Sequence, residues 1–113
     1  MLDAGTDITW TSADGLALYA KSYGPETAGL TVLCIHGLTR NHKDFEPMIA
    51  ALPGRFRFVA VDVRGRGQSA YDPDADHYNP KVYAEDMGRL LDKLDLTRVA
   101  LIGTSMGGLI SLM

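Results

Sequence analysis

Val99-Ala100-Leu101-Ile102-Gly103-Thr104-Ser105-Met106-Gly107-Gly108 is the stretch from which the architecture follows. Its first four residues are an apolar run of the kind that forms a strand buried on both faces, and they enter Gly-x-Ser-x-Gly without a linker. Leu109-Ile110-Ser111-Leu112 then reads as the opening of a helix. The pattern is strand, tight turn and helix, with a serine at the apex. A turn this sharp strains its central residue, so the positions two before and two after must lack side chains that would strike the strand or the helix. Gly103 and Gly107 meet that need. The Ser105 hydroxyl is thereby lifted above the carboxyl end of a sheet, where open α/β folds bind ligands, and the helix behind it aims free N–H groups at the same place. Ser105 is the candidate nucleophile. A glycine-rich turn with a helix-capping serine accounts for the local pattern equally well. Roughly 0.06 chance matches are expected in a chain of this composition, so the weight comes from what lies upstream.

Two further apolar runs of β-formers precede it. Leu30 to Ile35 stops at His36-Gly37, and Phe56 to Val61 runs into the loop Asp62-Val63-Arg64-Gly65-Arg66-Gly67-Gln68-Ser69. Both have the continuous apolar character of strands covered on two faces. Between them, Asn41 suits an N-cap with Asp44 in the first turn; Phe45, Met48, Ile49 and Leu52 fall at helical spacing, and Pro53-Gly54 closes the helix. Residues 70–79 form an irregular polar connection. Asn79-Pro80 then places a cap before a proline at the first helical position, and Met87, Leu90, Leu91 and Leu94 make an apolar stripe. At the amino end, Asp7 to Thr11 and Leu16 to Tyr23 flank the turn Asp14-Gly15 as an antiparallel hairpin. The strand before the serine covers Arg98 to Ile102. Strands alternating with helices imply right-handed crossovers and an open, doubly wound, mostly parallel sheet with helices on both faces. Residues 1–113 suit one α/β domain with one core.

Composition narrows the partners. Eleven basic and fourteen acidic residues are spread along the chain for a formal charge of −3, which provides no basic patch for nucleic acid or anionic lipid. A small molecule is the expected partner. The single cysteine, Cys34, excludes an internal disulfide, suits a reducing compartment, and sits in an apolar strand as an inert thiol. The first seven residues do not make a signal peptide and no apolar stretch is long enough to span a bilayer, so the expected location is cytoplasmic. His42 is expected as a helix-start residue and His77 as a solvated loop residue. None of the three histidines sits with Cys34, Asp or Glu at zinc-ligand spacing, so neither a metal nor a cofactor is expected. Gly65-Arg66-Gly67-Gln68-Ser69-Ala70 does fit the dinucleotide pattern Gly-x-Gly-x-x-Ala. That motif must open a helix toward a pyrophosphate, whereas Tyr71-Asp72-Pro73-Asp74 breaks one and adds acidic charge.

Three loops thus follow three buried strands at one end of the sheet: His36-Gly37-Leu38, Asp62-x-Arg64-Gly65-x-Gly67-x-Ser69 and Gly103-x-Ser105-x-Gly107-Gly108. In that order and spacing they resemble the α/β-hydrolase family over essentially the whole chain, in its small esterase, lactonase, carbon-carbon hydrolase and cofactor-free peroxidase branch. The resemblance implies that Ser105 is the nucleophile and that the backbone N–H groups of Met106 and Leu38 form the oxyanion hole. It implies that Gly37 allows close approach of substrate, that Gly103 and Gly107 shape the elbow, and that His36 orients the loop instead of acting as a base. Asp62, Arg64 and Ser69 become loop-bracing groups with hydrogen bonds and an ion pair. Thr104 departs from the histidine often found before the nucleophile.

The implied activity is hydrolysis of a small, largely apolar carboxylic ester, lactone or related carbonyl compound through an acyl-enzyme. Serine at the elbow, in place of aspartate, argues against the dehalogenase and epoxide hydrolase branches. A carbon-carbon hydrolase using the same serine, and a non-catalytic binding protein of the same fold, both remain open. In this fold the triad runs Ser, then Asp or Glu, then His. The acid, the base and the lid are therefore expected beyond Met113, the 113 residues being the amino-terminal portion of a hydrolase without a competent triad of its own.

Overall fold

The computed structural model describes residues 5–24, 30–37, 40–51, 56–96 and 99–103. Five strands, β1 (Thr6–Thr11), β2 (Ala17–Tyr23), β3 (Thr31–Ile35), β4 (Arg57–Asp62) and β5 (Ala100–Gly103), form one mixed sheet in the order β1-β2-β4-β3-β5. β1 and β2 pair as the expected antiparallel hairpin, with Ile8 opposite Ala20. β2 also pairs antiparallel with β4, while β3 runs parallel to both β4 and β5. The hairpin turn is closed by Ser12, whose carbonyl accepts from Gly15 N–H at 3.0 Å and whose hydroxyl oxygen accepts from Leu16 N–H at 2.9 Å.

The alternation of side chains along β3 and β4 supplies both layers of the core. Leu33, Ile35, Val59 and Val61 face helix α2 (Pro80–Lys93), packing with Tyr83, Met87 and Leu90 and with Ile8, Trp10 and Leu18 from the hairpin. Val32, Cys34, Phe58 and Ala60 face the other way and pack with Tyr23, Phe45 and Ile49 beneath helix α1 (Glu46–Ala51). Helices on opposite faces cover a sheet whose two central parallel strands are buried throughout.

Asn79 caps α2 as expected: its backbone is extended and its side-chain oxygen accepts from Val82 N–H at 3.0 Å, with Pro80 opening the helix. Leu90 is fully buried and Leu91 and Leu94 pack at the border of the same cluster. The first helix departs from expectation. Its opening, His42–Phe45, is a 3-10 turn, with Asn41 accepting from Lys43 N–H at 2.9 Å and Asp44 N–H bonding Asn41 O at 3.2 Å. Bonds three residues back tighten the chain where α-helical partners are still lacking, and Pro47, which has no N–H to give, is tolerated in the first turn of the α segment that follows. Leu52, Pro53 and Gly54 lie outside the described residues.

β5 differs as well. The Val99–Ile102 run was expected to be covered on both faces, yet Leu101 is 46% exposed and no β5 residue is buried. Among the described strands β5 is outermost and bonded only to β3. No helix among the described residues is long and apolar enough to cross a membrane.

Candidate active site

The carboxyl ends of the three parallel strands meet at one level. Ile35 lies opposite both Val61 and Gly103 across the sheet, so the chains leaving β3, β4 and β5 emerge side by side. Of the residues singled out from sequence, His36, Gly37 and Gly103 are described; Leu38, Ser105, Met106 and Gly107 lie outside the described residues.

His36 is wholly buried at the mouth of β3. Val63 N–H donates to its Nε2 at 2.9 Å, which fixes the ring proton on Nδ1, and Nδ1–H donates to Gly37 O at 2.6 Å. Arg40 N–H reaches the same carbonyl at 3.1 Å. Burial pushes the imidazole below the usual histidine range. A neutral ring with both nitrogens engaged has no lone pair left to take a serine proton.

Asp62 ends β4 with no exposed surface. Its Oδ1 accepts from both His42 N–H and His42 Nδ1–H, each at 2.7 Å, and its Oδ2 accepts from Gln68 N–H at 2.9 Å. Ser69 Oγ donates to Asp62 O at 2.6 Å and accepts from Tyr19 N–H at 2.9 Å, which fastens the 64–69 loop to β2. The bracing expected of Asp62 and Ser69 is therefore present. His42 does start the helical segment, but it is also buried, with its ring against Tyr19 at 5.4 Å between centroids. A buried carboxylate demands donors, and His42 supplies two of them.

Arg64, only 2% exposed, forms five hydrogen bonds to three carboxylates. Asp86 on α2 is held in a bidentate fork at 3.0 and 2.8 Å, Asp14 from the hairpin turn at 2.9 and 3.0 Å, and Asp72 at 2.7 Å. The guanidinium holds Asp14 well below the usual carboxylate range; Asp72 is lowered too, chiefly by its bond from Asp74 N–H, whereas burial raises Asp86. His77 keeps 37% of its side chain exposed and also bonds Asp72 through Nδ1 at 2.7 Å, and this bond raises its pKa. Ligand atoms of Asp14, Asp72 and His77 lie within 4.8 Å of one another, as in a metal site. Arg64 Nη1 already bonds Oδ2 of both aspartates, so a fixed cation occupies that place. Nothing in local spacing marked these partners, which stand 50, 8 and 22 residues from Arg64.

The Gly65–Ala70 segment folds back on itself, with Gly65 N–H bonded to Ala70 O and Ser69 N–H to Arg66 O, each at 3.0 Å. It opens no helix, so the dinucleotide pattern lacks the N-terminus it requires. Cys34 is fully buried and desolvation pushes its thiol up to about 12, which leaves it inert. A cleft of about 570 Å³ lies at the β1 edge of the sheet, between β1 and α2.

A family model described as "alpha/beta hydrolase fold" matches residues 31–113. The 3-hydroxybutyrate-oligomer hydrolase of Cupriavidus necator is 44% identical over 81 residues, 72% of this chain and 28% of that protein. The 3-oxoadipate enol-lactonase 1 of Acinetobacter baylyi is 34% identical over 105 residues, 93% of this chain and 38% of that protein. A crystal structure of an α/β hydrolase from Novosphingobium aromaticivorans superposes with a TM-score of 0.90 at 41% identity, covering 96% of this chain and 38% of the other. The chain thus spans about a third of the length of these proteins. With the strand order, the His36-Gly37 mouth and the matched model all in agreement, this chain belongs to the α/β-hydrolase fold family.

Proposed function

We propose that the whole protein is a serine hydrolase that cleaves a small carboxylic ester or lactone through an acyl-enzyme on Ser105. The observation that carries this reading is the parallel register of β3 and β5. With Ile35 opposite Gly103, the segments that lead to Leu38 and to Ser105 start from neighbouring points on one sheet end. A nucleophile and an oxyanion donor must share one carbonyl group, and this register is what brings their carrier segments together.

In the proposed reaction, Ser105 Oγ attacks the carbonyl carbon while a histidine accepts the hydroxyl proton. Negative charge moves onto the carbonyl oxygen, where the N–H groups of Leu38 and Met106 receive it; removal of one such donor costs about 3 kcal/mol of barrier height. Collapse of the tetrahedral intermediate releases the alcohol, and water then frees the acid. His36 is unsuited to the base role, since both its ring nitrogens are engaged. In this fold the acid and the base follow the nucleophile in the chain, and residues 106–113 contain neither. The relatives support the substrate class: a hydroxybutyrate oligomer and an enol-lactone both present an ester-type carbonyl.

The test is intact mass of the purified full-length protein before and after a fluorophosphonate probe, with the adduct mapped by peptide sequencing. One adduct on Ser105, absent from Ser105→Ala together with hydrolysis of a short-chain p-nitrophenyl ester, is the expected result. An adduct elsewhere, or ester hydrolysis unchanged in Ser105→Ala, overturns the reading.

A further inference from the structure

Two consecutive residues at the end of β4 grip segment 36–42 on both sides. Val63 N–H holds the His36 ring on the near side, and the Asp62 carboxylate holds His42 on the far side through its main-chain N–H and its Nδ1–H. We propose that His42 and Asp62 are positioning residues for the reaction, fixing the far side of the segment that carries the Leu38 N–H. The inference rests on the reading of Leu38 as an oxyanion donor.

The grip is rigid for stated reasons. Asp62 is fully buried, so its charge depends on the three N–H groups from His42 and Gln68 that reach it. The 64–69 loop lies directly on the carboxylate: a Cβ on Gly67, whose φ is +53°, would stand 2.3 Å from Asp62 Cγ. On its other side the His42 ring meets Tyr19, which is tied through Ser69 to the Asp62 carbonyl. Displacement of the His42 main chain and ring away from Asp62 would strip a buried carboxylate of two donors at once. Within the segment, His36 Nδ1–H and Arg40 N–H converge on Gly37 O, which ties His36 to a residue two positions before His42. A displacement of 1 Å at a reacting geometry can cost about 100-fold in rate, so anchoring one side alone would leave the donor poorly placed.

The experiment uses the full-length protein and its ester hydrolysis. His42→Asn puts a side-chain N–H where Nδ1–H stands; His42→Leu keeps bulk and removes the donor; His42→Gln keeps an amide but carries its N–H one bond farther out. In His42→Leu the expected kcat is lower by about 10- to 100-fold, with KM within about threefold, while His42→Asn stays within about threefold of wild type. Should His42→Leu fail to fold, the Asn and Gln variants carry the comparison, with kcat of the Gln variant expected about tenfold below that of the Asn variant. Thermal midpoints of all variants are measured alongside. Equal kcat in the Asn, Gln and Leu variants, or a kcat loss that simply tracks the midpoint across them, overturns the inference. Ser105→Ala separates the two levels: wild-type turnover there defeats the serine reading itself, whereas dead Ser105→Ala beside an unaffected His42→Leu defeats only the positioning role.

Discussion

Replacing Arg64 with methionine removes the one guanidinium that joins the hairpin turn, the 70s loop and α2. The Asp86 side chain is 3% exposed and loses its countercharge without gaining water, whereas Asp72, 6% exposed, keeps its bonds from His77 and Asp74 N–H. Stripping one partner from a buried pair costs about 3–5 kcal/mol. The Asp14 contact, 40% exposed on the carboxylate side, adds at most about 1 kcal/mol. Urea unfolding followed by Trp10 fluorescence reports directly, because this sole tryptophan donates its indole N–H to Asp86 O at 2.9 Å. For a slope near 2 kcal/mol per molar, the midpoint should fall by about 2 M.

The sign with pH is also determined. Burial already raises the Asp86 carboxyl above its ordinary value, and losing Arg64 raises it further. A carboxyl raised in the folded state binds more protons folded than unfolded, so stability falls as pH rises through the window above the ordinary carboxylate value. The Arg64→Met deficit should therefore be smaller at pH 5 than at pH 8, and Arg64→Met/Asp86→Leu should recover part of it. A midpoint within about 0.3 M of wild type, far inside the slope-based shift, or a deficit equal at both pH values, refutes the reasoning.

Asn79→Ala should cost about 1 kcal/mol in thermal unfolding, since Val82 N–H loses its cap. Leu33→Ala, in the middle of buried β3, should cost about 2–5 kcal/mol in urea unfolding. Gly67→Ala combines a positive φ with a clash against Asp62 and should lose about 2–6 kcal/mol, read as a failure to accumulate folded protein or a collapsed melting midpoint. Asp72 raises the His77 pKa, so the stabilisation from that pair is fully present below the ordinary histidine value and is lost as pH rises through the raised one. The melting difference between wild type and His77→Ala should accordingly be larger at pH 6 than at pH 9.

The elements were legible because each carries a local cause. Continuous apolar runs marked β3 and β4, and Asn79-Pro80 with the Met87, Leu90 stripe marked α2. The order of strands was not legible: β4 inserts between β2 and β3, a placement that depends on both faces of the β4 strand being covered and on no single residue. The bond from His42 to Asp62 was not legible because the start-of-helix position accounts for His42 without burial, and only the fold brings Asp62 to it from 20 residues away.

The loop Asp62-x-Arg64-Gly65-x-Gly67-x-Ser69 shows how one spacing can serve two chemistries. In a nucleotide site its glycines would let backbone approach a pyrophosphate. Here they let backbone approach the protein's own groups. A Cβ on Gly67 would collide with the Asp62 carboxylate, and one on Gly65, at φ +78°, would stand 2.6 Å from the Tyr78 ring. The anion that the loop wraps is thus Asp62, already inside the chain, and the donors that reach it are Gln68 N–H and the two from His42. An internal carboxylate cannot leave as a ligand does, so the same local geometry that would bind a phosphate reversibly here makes a permanent joint. Such a joint suits a role in holding neighbouring segments at the mouth of the sheet, and the Asn and Gln replacements of His42 bear directly on it.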